Sequence, residues 1–210
     1  MTYATVLTGD LIGSTQAGPA STDAAISLIQ SVSQGSDLFP GADIRFARYR
    51  GDGWQIYCSD PGQMFRIVVL VLANLHARPN LPRTRISAAL GTVASLPESG
   101  LASASGDAFS LSGRGLDSMG RAKLVFSQDD TGRDWKMVLF QYLEWQAFRW
   151  SPEQAQAIAL SFRLVPPHPG KSAEELGISR QAFSARLDGA GYSPLWEAND
   201  LFRRERNDRP

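Results

Sequence analysis

Seven consecutive apolar residues, Ile67 to Ala73, constrain this chain more than any other feature. They lie in a segment that opens at Asp60-Pro61, a helix-starting pair, and reaches Leu75 or His76. The run is far short of the roughly 20 residues that a helix needs to span a bilayer. A helix that is apolar from Ile67 to Leu72 has no side to offer to water, so the segment predicts a helix buried in a core. The chain can supply that core. Its 210 residues suit one large domain, or a medium domain plus a small one, and 43% of them are apolar.

Charge and cysteine usage exclude several function classes. Twenty-one Lys+Arg balance twenty-one Asp+Glu, and the pI is about 6.7. That balance argues against a protein that coats nucleic acid by electrostatics alone. Cys58 is the single cysteine, so neither an intramolecular disulfide nor a thiolate cluster can form. With two histidines, His76 and His168, a His-rich zinc site is not expected. The start Met1-Thr2-Tyr3 has no basic-then-apolar leader, which predicts no secretory signal and a soluble cytoplasmic protein with no membrane partner.

Along the chain, Tyr3 to Thr8 predicts a first strand that stops at Gly9-Asp10. Gly13, Gly18 and Pro19 predict a loop. Ser21-Thr22-Asp23 then offers caps to a helix with Ala25, Leu28, Ile29 and Val32 at helical spacing, ended by Gly35 and Pro40. Ile44 to Tyr49 and Trp54 to Cys58 predict two strands joined through Arg50-Gly51-Asp52-Gly53, a hairpin signal. After the buried helix come a strand over Arg85 to Val93, a loop or flap over Leu96 to Ser105 and a helix over Asp107 to Met119. A short strand over Lys123 to Ser127 and a helix over Trp135 to Trp150 follow. The order β-α-ββ-α-β-α-β predicts an α+β fold with a ferredoxin-like, split βαβ core. After Trp150 the pattern becomes helical: Ser151-Pro152-Glu153 caps a helix to about Phe162, a Pro-rich break follows at 166–170, and short helices run from Lys171 to Arg206. This divides the chain into 1–148 and 149–210.

Two segments carry the sharper chemistry. Asp10 ends the first strand within Leu7-Thr8-Gly9-Asp10-Leu11-Ile12-Gly13-Ser14-Thr15, and Asp52 sits at the hairpin tip. If the hairpin lies beside the first strand, the two carboxylates converge. Such a pair suits Mg²⁺, a hard cation that takes oxygen ligands and keeps substrate phosphates in its shell. Gly13, Ser14 and Thr15 could present backbone N–H groups to phosphates at a helix start. Asp beside Gly is also an ordinary turn pair, so each residue alone has a purely local explanation.

Together these segments resemble the metal-binding motifs of class III nucleotidyl cyclases. Arg85 to Val93 is similar to that family's Arg-x-Gly-Ile-x-x-Gly strand, and Gly106 to Arg114 to its Gly-x-x-Val-Asn-x-Ala-x-Arg helix. The resemblance spans about residues 3 to 127 in the family's motif order. It implies a palm-type domain with a two-metal Mg²⁺ or Mn²⁺ site at Asp10, Leu11 and Asp52. It also implies nucleotide contacts at Ile12, Gly13, Ser14, Thr15, Arg48 and Ser103, and catalytic roles for Ser110 and Arg114. The substrate would be a nucleoside triphosphate and the assembly a homodimer in which Arg114 serves the partner's site. Three positions depart from the family: Ser110 replaces its Asn, Arg48 its purine-selecting Lys and Ser103 the acidic partner of that Lys. An Arg–Ser pair does not read adenine as Lys–Asp does, so the base stays open, pyrimidine included.

The second informative place is Ser172 to Leu187. Ala173 and Gly177, four apart, suit a tight turn between helices, with Ile178 and Leu187 closing a small core and Ser179 capping the next helix. That is a helix-turn-helix pattern, which would put Ser179, Arg180, Gln181 and Ser184 at an exposed recognition-helix start. Against DNA binding, eight Lys+Arg oppose eight Asp+Glu from Ser151 onward. The cyclase-like front with a helix-turn-helix back resembles the SatD family, through Gly51-Asp52 with Gln55, Gly106 to Phe109, and Ile178 to Leu187. Two expectations follow: an enzyme forming a 3′,5′-cyclic nucleotide and pyrophosphate, or a nucleotide-sensing DNA-binding regulator with a degenerate cyclase-like domain.

Overall fold

The computed structural model describes residues 2–35, 38–49, 51–128, 135–163 and 169–205. Arg50 of the hairpin, most of the Pro-rich break including His168, and the tail from Arg206 lie outside the described residues.

The chain is α+β, with one five-stranded mixed sheet and, among the described residues, eight α-helices. The strands are β1 (Thr2–Leu11), β2 (Ile44–Tyr49), β3 (Gly53–Cys58), β4 (Thr84–Val93) and β5 (Leu124–Gln128), in spatial order β2-β3-β1-β4-β5. All neighbours are antiparallel except β4 and β5. Helix α1 (Ser14–Ser33) carries the chain from β1 past β3 to β2, and α2 (Met64–His76) carries it from β3 past β1 to β4. Helix α3 (Asp107–Asp117) joins the parallel pair β4 and β5, which needs a crossover. The remaining helices are α4 (Trp135–Ala147), α5 (Pro152–Ser161), α6 (Pro169–Glu175), α7 (Arg180–Ala190) and α8 (Tyr192–Glu205).

Strand alternation separates two unlike faces. Leu7, Trp54, Ile56, Ile86, Ala88, Leu124 and Phe126 point toward α1, α2 and α4 in one apolar core. Among the described residues the other face carries α3 and the segment 94–105, over a smaller core of Ala4, Val6, Tyr57, Val93, Leu101 and Ala108. Glycine lets α3 come close: a Cβ on Gly91 would stand 2.7 Å from the Ala108 backbone nitrogen. The expected flap is pinned, because Leu101 is buried and Ser95 and Ser105 exchange backbone hydrogen bonds of 3.1 and 2.9 Å.

Helix α2 is buried as its sequence requires, every residue from Met64 to Ala73 being no more than 1% exposed. One side lies on the sheet. The other is covered by the C-terminal helices, through Ile158 and Phe162 of the α5 region and Leu195, Ala198 and Phe202 of α8. The Phe65 and Phe202 rings stack at 5.5 Å, and Arg66 Nε donates to the Phe162 carbonyl at 2.9 Å. Residues on both sides of position 148 thus share one core.

Three boundaries differ from the sequence expectation. Helix α1 begins at Ser14 and breaks at Gly18 (φ 80°, ψ 166°), rather than following a loop over 13–19. Pro19 has no N–H to donate and its ring would collide with the preceding turn, so the helix interrupts and restarts there. Strand β1 continues through Gly9-Asp10 to Leu11, because the Trp54 indole lies across Gly9 where any side chain would collide. Helix α4 stops at Ala147, and Trp150 turns inward to donate its indole N–H to the Ala190 carbonyl at 3.0 Å. The expected caps are present: Ser151 Oγ accepts from Gln154 N at 3.2 Å, and Ser179 Oγ from Ala182 N at 3.1 Å. No helix among the described residues is long and apolar enough to cross a membrane.

Candidate functional site

Asp10 is held in place from behind. Trp54 Nε1 donates to Thr84 Oγ1 at 3.0 Å, and Thr84 Oγ1 donates to the Asp10 carbonyl at 2.7 Å. Gly9 makes room for the indole, so Thr8-Gly9-Asp10 and Trp54 form one packing unit. The Asp10 side chain emerges on the α3 face. Its register partner on β3 is Gly53, the residue after Asp52. The antiparallel pairing therefore brings the hairpin tip beside the end of β1, as the sequence reading required.

Each carboxylate has a partner. Asp10 faces Arg85 across the β1–β4 ladder. Arg85 Nε donates to Asp10 Oδ1 at 2.8 Å and Nη2 donates to Oδ2, a bidentate grip. Asp52 accepts from Ser14 Oγ at 2.5 Å, next to the Gly13 αL turn that opens α1. The hydrogen bond it donates to Asp10 above all, with the fields of Asp10 and Asp52, holds the Arg85 guanidinium above its ordinary range. One cation thus sits in the field of both acids.

The donor types suit a hard cation: two carboxylates, with the Ser14 hydroxyl beside them. Arg85 already neutralises Asp10, so a metal bound there would share or displace that guanidinium. Among the described residues no three of His, Cys, Asp and Glu gather as a metal cluster, so substrate or water oxygens would complete any coordination sphere.

Beside Asp52 a cavity of about 490 Å³ opens toward solvent, lined by Ser14, Thr15, Asp23, Arg48 and the kink at Gly18-Pro19. Arg48 Nη2 meets Asp23 at 2.7 Å and Arg48 Nε donates to the Gly51 carbonyl at 2.6 Å. Asp23 is a partner that the sequence reading did not find. Arg48 lies on the α1 face of the sheet, with Phe46. Ser110 and Arg114 are exposed on α3, across the sheet, and Ser103 is exposed in the 94–105 segment. A single copy therefore brings together Asp10, Asp52, Ser14 and Arg85 but leaves Arg48 and Arg114 on different faces. Ile12 is half-exposed, and its N–H donates to the Arg83 carbonyl at 2.7 Å, tying the turn after Leu11 to β4.

A polar relay crosses the α3 face below Asp10. Tyr49 Oη donates to Gln55 Oε1 at 3.0 Å and Gln55 Nε2 donates to Thr8 Oγ1 at 3.0 Å. Thr8 Oγ1 shares a 2.8 Å hydrogen bond with Ser112 Oγ on α3. Its period-two placement on β1 and β3 was legible in principle, but Ser112 became its end only through helix packing.

No protein-family model and no curated protein matches the chain. Its functional reading therefore rests on this geometry and on motif resemblance.

In the C-terminal unit, Gly177 (φ 64°) makes the turn between α6 and α7. Ala173 and Phe183 close a small core with Ile178 and Leu187 packed against it. Ser179, Arg180, Gln181 and Ser184 are all exposed at the start of α7.

Proposed function

We propose that the chain is a class III cyclase-like enzyme that takes a nucleoside triphosphate with Mg²⁺ or Mn²⁺ at the Asp10–Asp52 end of the sheet. The reaction in this reading forms a 3′,5′-cyclic nucleotide and releases pyrophosphate. The observation that carries it is the register of Asp10 against Gly53, which sets the hairpin tip beside the end of β1 with Arg85 in the field of both acids. The strand order β2-β3-β1-β4 with two interleaved crossovers supports the ferredoxin-like palm assignment. Metal ions in such a site activate the attacking hydroxyl and stabilise the leaving pyrophosphate. Asp10 and Asp52 hold the cations, Ser14 and Thr15 contact phosphate at the start of α1, and Arg85 swings from Asp10 toward phosphate. Arg114 neutralises transition-state charge from a second copy, since a single copy keeps it apart from the cavity that holds Arg48.

Incubating the protein with each of the four nucleoside triphosphates and Mg²⁺ or Mn²⁺ tests this. The expected result is a cyclic product from at least one, abolished by Asp52→Asn. No product from any rejects catalysis.

A second reading, a nucleotide-sensing DNA-binding regulator, is favoured by two observations. Arg85 grips both oxygens of Asp10, and the capped start of α7 exposes Arg180 and Gln181. A salt-dependent, sequence-selective gel shift lost in Arg180→Ala/Gln181→Ala supports it, and no shift at low salt removes it.

A further inference from the structure

The cavity beside Asp52 carries a donor–acceptor pair on its wall. The break at Gly18-Pro19 bends α1 sharply: Thr22 Oγ1 donates to the Ser14 carbonyl at 3.3 Å. In an unbroken helix a separation of eight residues is a rise of about 12 Å. Asp23, the next residue, thereby reaches the opening that Ser14, Thr15 and Asp52 also line. There Arg48 Nη2 donates to Asp23 Oδ1 at 2.7 Å, and Arg48 Nε, bound to the Gly51 carbonyl at 2.6 Å, fixes the guanidinium plane. Among the described residues Arg48 Nη1 and Asp23 Oδ2 have no partner. The two side chains are 39% and 61% exposed, and a pair so exposed adds little to folding.

We propose that the Arg48–Asp23 pair reads the base of the bound nucleotide, and that the base is guanine. The assignment rests on the nucleotide reading above and names its substrate as a guanosine triphosphate. With Ser14 and Thr15 on the phosphates, the same cavity of about 490 Å³ takes the base toward Arg48 and Asp23, and its volume is that of a small-molecule site. A guanidinium beside a carboxylate presents donors next to acceptors. Along the edge of guanine, N7 and O6 accept while the adjoining N1–H and N2–H donate, so one base meets both halves of the pair. Arginine meets O6 and N7 of guanine in the same way in DNA. The other bases break the pattern. Adenine and cytosine set an amino donor beside a ring acceptor, and neither offers Asp23 two adjacent donors. Uracil offers N3–H alone and sets its O2 against the second carboxylate oxygen. Asp23 thus supplies the acidic partner that Ser103, on the other side of the sheet, does not.

Calorimetric titration of the full chain with the 5′-diphosphates of guanosine, adenosine, cytidine and uridine in Mg²⁺ tests the assignment. A diphosphate cannot release pyrophosphate, so the titration reads binding alone. Guanosine diphosphate is expected to bind at least about tenfold more tightly than the other three. Inosine diphosphate, which lacks only the N2 amino group, is expected to bind about tenfold more weakly than guanosine diphosphate. In Asp23→Ala, with an unchanged circular dichroism spectrum, the two are expected to bind alike, because the acceptor of N2–H is gone. Equal binding of the four diphosphates, or preference for another base, overturns the guanine assignment and leaves the nucleotide reading standing. A gap between guanosine and inosine diphosphates that survives Asp23→Ala overturns the role of Asp23. A chain that binds none of the five overturns the nucleotide reading itself, and the guanine assignment with it.

Discussion

Helices α2 and α4 are both thirteen residues long, and both carry apolar side chains on every side. They differ in what covers the side turned away from the sheet. Around α2, the α5 and α8 helices close the second face, and even Arg66 and His76 are drawn in at 1% and 4% exposure. Around α4 the described residues cover the inner half, and Trp135 and Trp145 stay about half exposed. A helix with no polar face demands burial on both sides, and this chain meets the demand once from within. The contrast separates a helix buried on both faces from one whose outer side chains stay partly exposed.

The comparison breaks most directly on truncation. Removing 149–210 takes Ile158, Phe162, Leu195 and Phe202 off α2, and the fragment 1–148 is expected to lose cooperative unfolding altogether. A sigmoidal thermal transition in the fragment would refute the shared core. Within the full chain, Leu72→Ala on α2, 0% exposed, is expected to cost about 3 kcal/mol by urea denaturation, as fully buried leucines do.

Acid sharpens the same point. Burial first, then the nearby Arg83 charge, lowers His76 from 6.5 to about 4, against the opposing pull of its bond to the Ala147 carbonyl. The ring sits between Phe148 and Trp150, its Nδ1 is 2.8 Å from that carbonyl and its Nε2 has no hydrogen-bond partner among the described residues. The folded state holds this imidazole neutral while the unfolded chain protonates it. The stability from His76 is therefore fully present above about 6.5 and is lost as pH falls toward about 4, a decline of up to roughly 3 kcal/mol. Urea midpoints at pH 7.5 and pH 4.5 should differ less in His76→Gln than in the wild type.

Smaller effects are expected where side chains meet water. Arg85→Gln breaks a half-exposed pair with Asp10 and should change stability by less than about 1 kcal/mol. Val138→Ala, on the outer side of α4, should change monomer stability by no more than about 0.5 kcal/mol. A loss approaching that of Leu72→Ala would erase the distinction between the two helices.

Much of the fold was legible because its signals are local. The apolar run of α2, the Asp52 hairpin, the Ser151 and Ser179 caps and the Gly177 turn each depend on a few neighbouring residues. The misplaced boundaries had non-local causes. Gly9-Asp10 looks like a strand end until the Trp54 indole is seen lying across Gly9, and the length of α4 depends on Trp150 finding the end of α7. In the site, the placing of Asp52's hairpin tip beside the end of β1, where Asp10 lies, followed from hairpin logic. Their actual partners, Arg85 and Ser14, did not. Register decides which cation faces Asp10, and a shift of one residue would send Arg85 to the other face.

The sequence by itself determined that a wholly apolar helix had to be enclosed, that a Gly-Asp tip would close a hairpin, and that Ser151 and Ser179 would cap helices, the second just after a turn at Gly177. Periodicity and backbone preference act over a few residues and survive without a partner. Only the tertiary structure decided that α5 and α8 would do the enclosing, that α4 would keep a half-exposed aromatic edge, and that Arg85 would grip Asp10. Those outcomes depend on contacts between segments far apart in the chain, whose strength exists only once strand register and helix packing have brought them together.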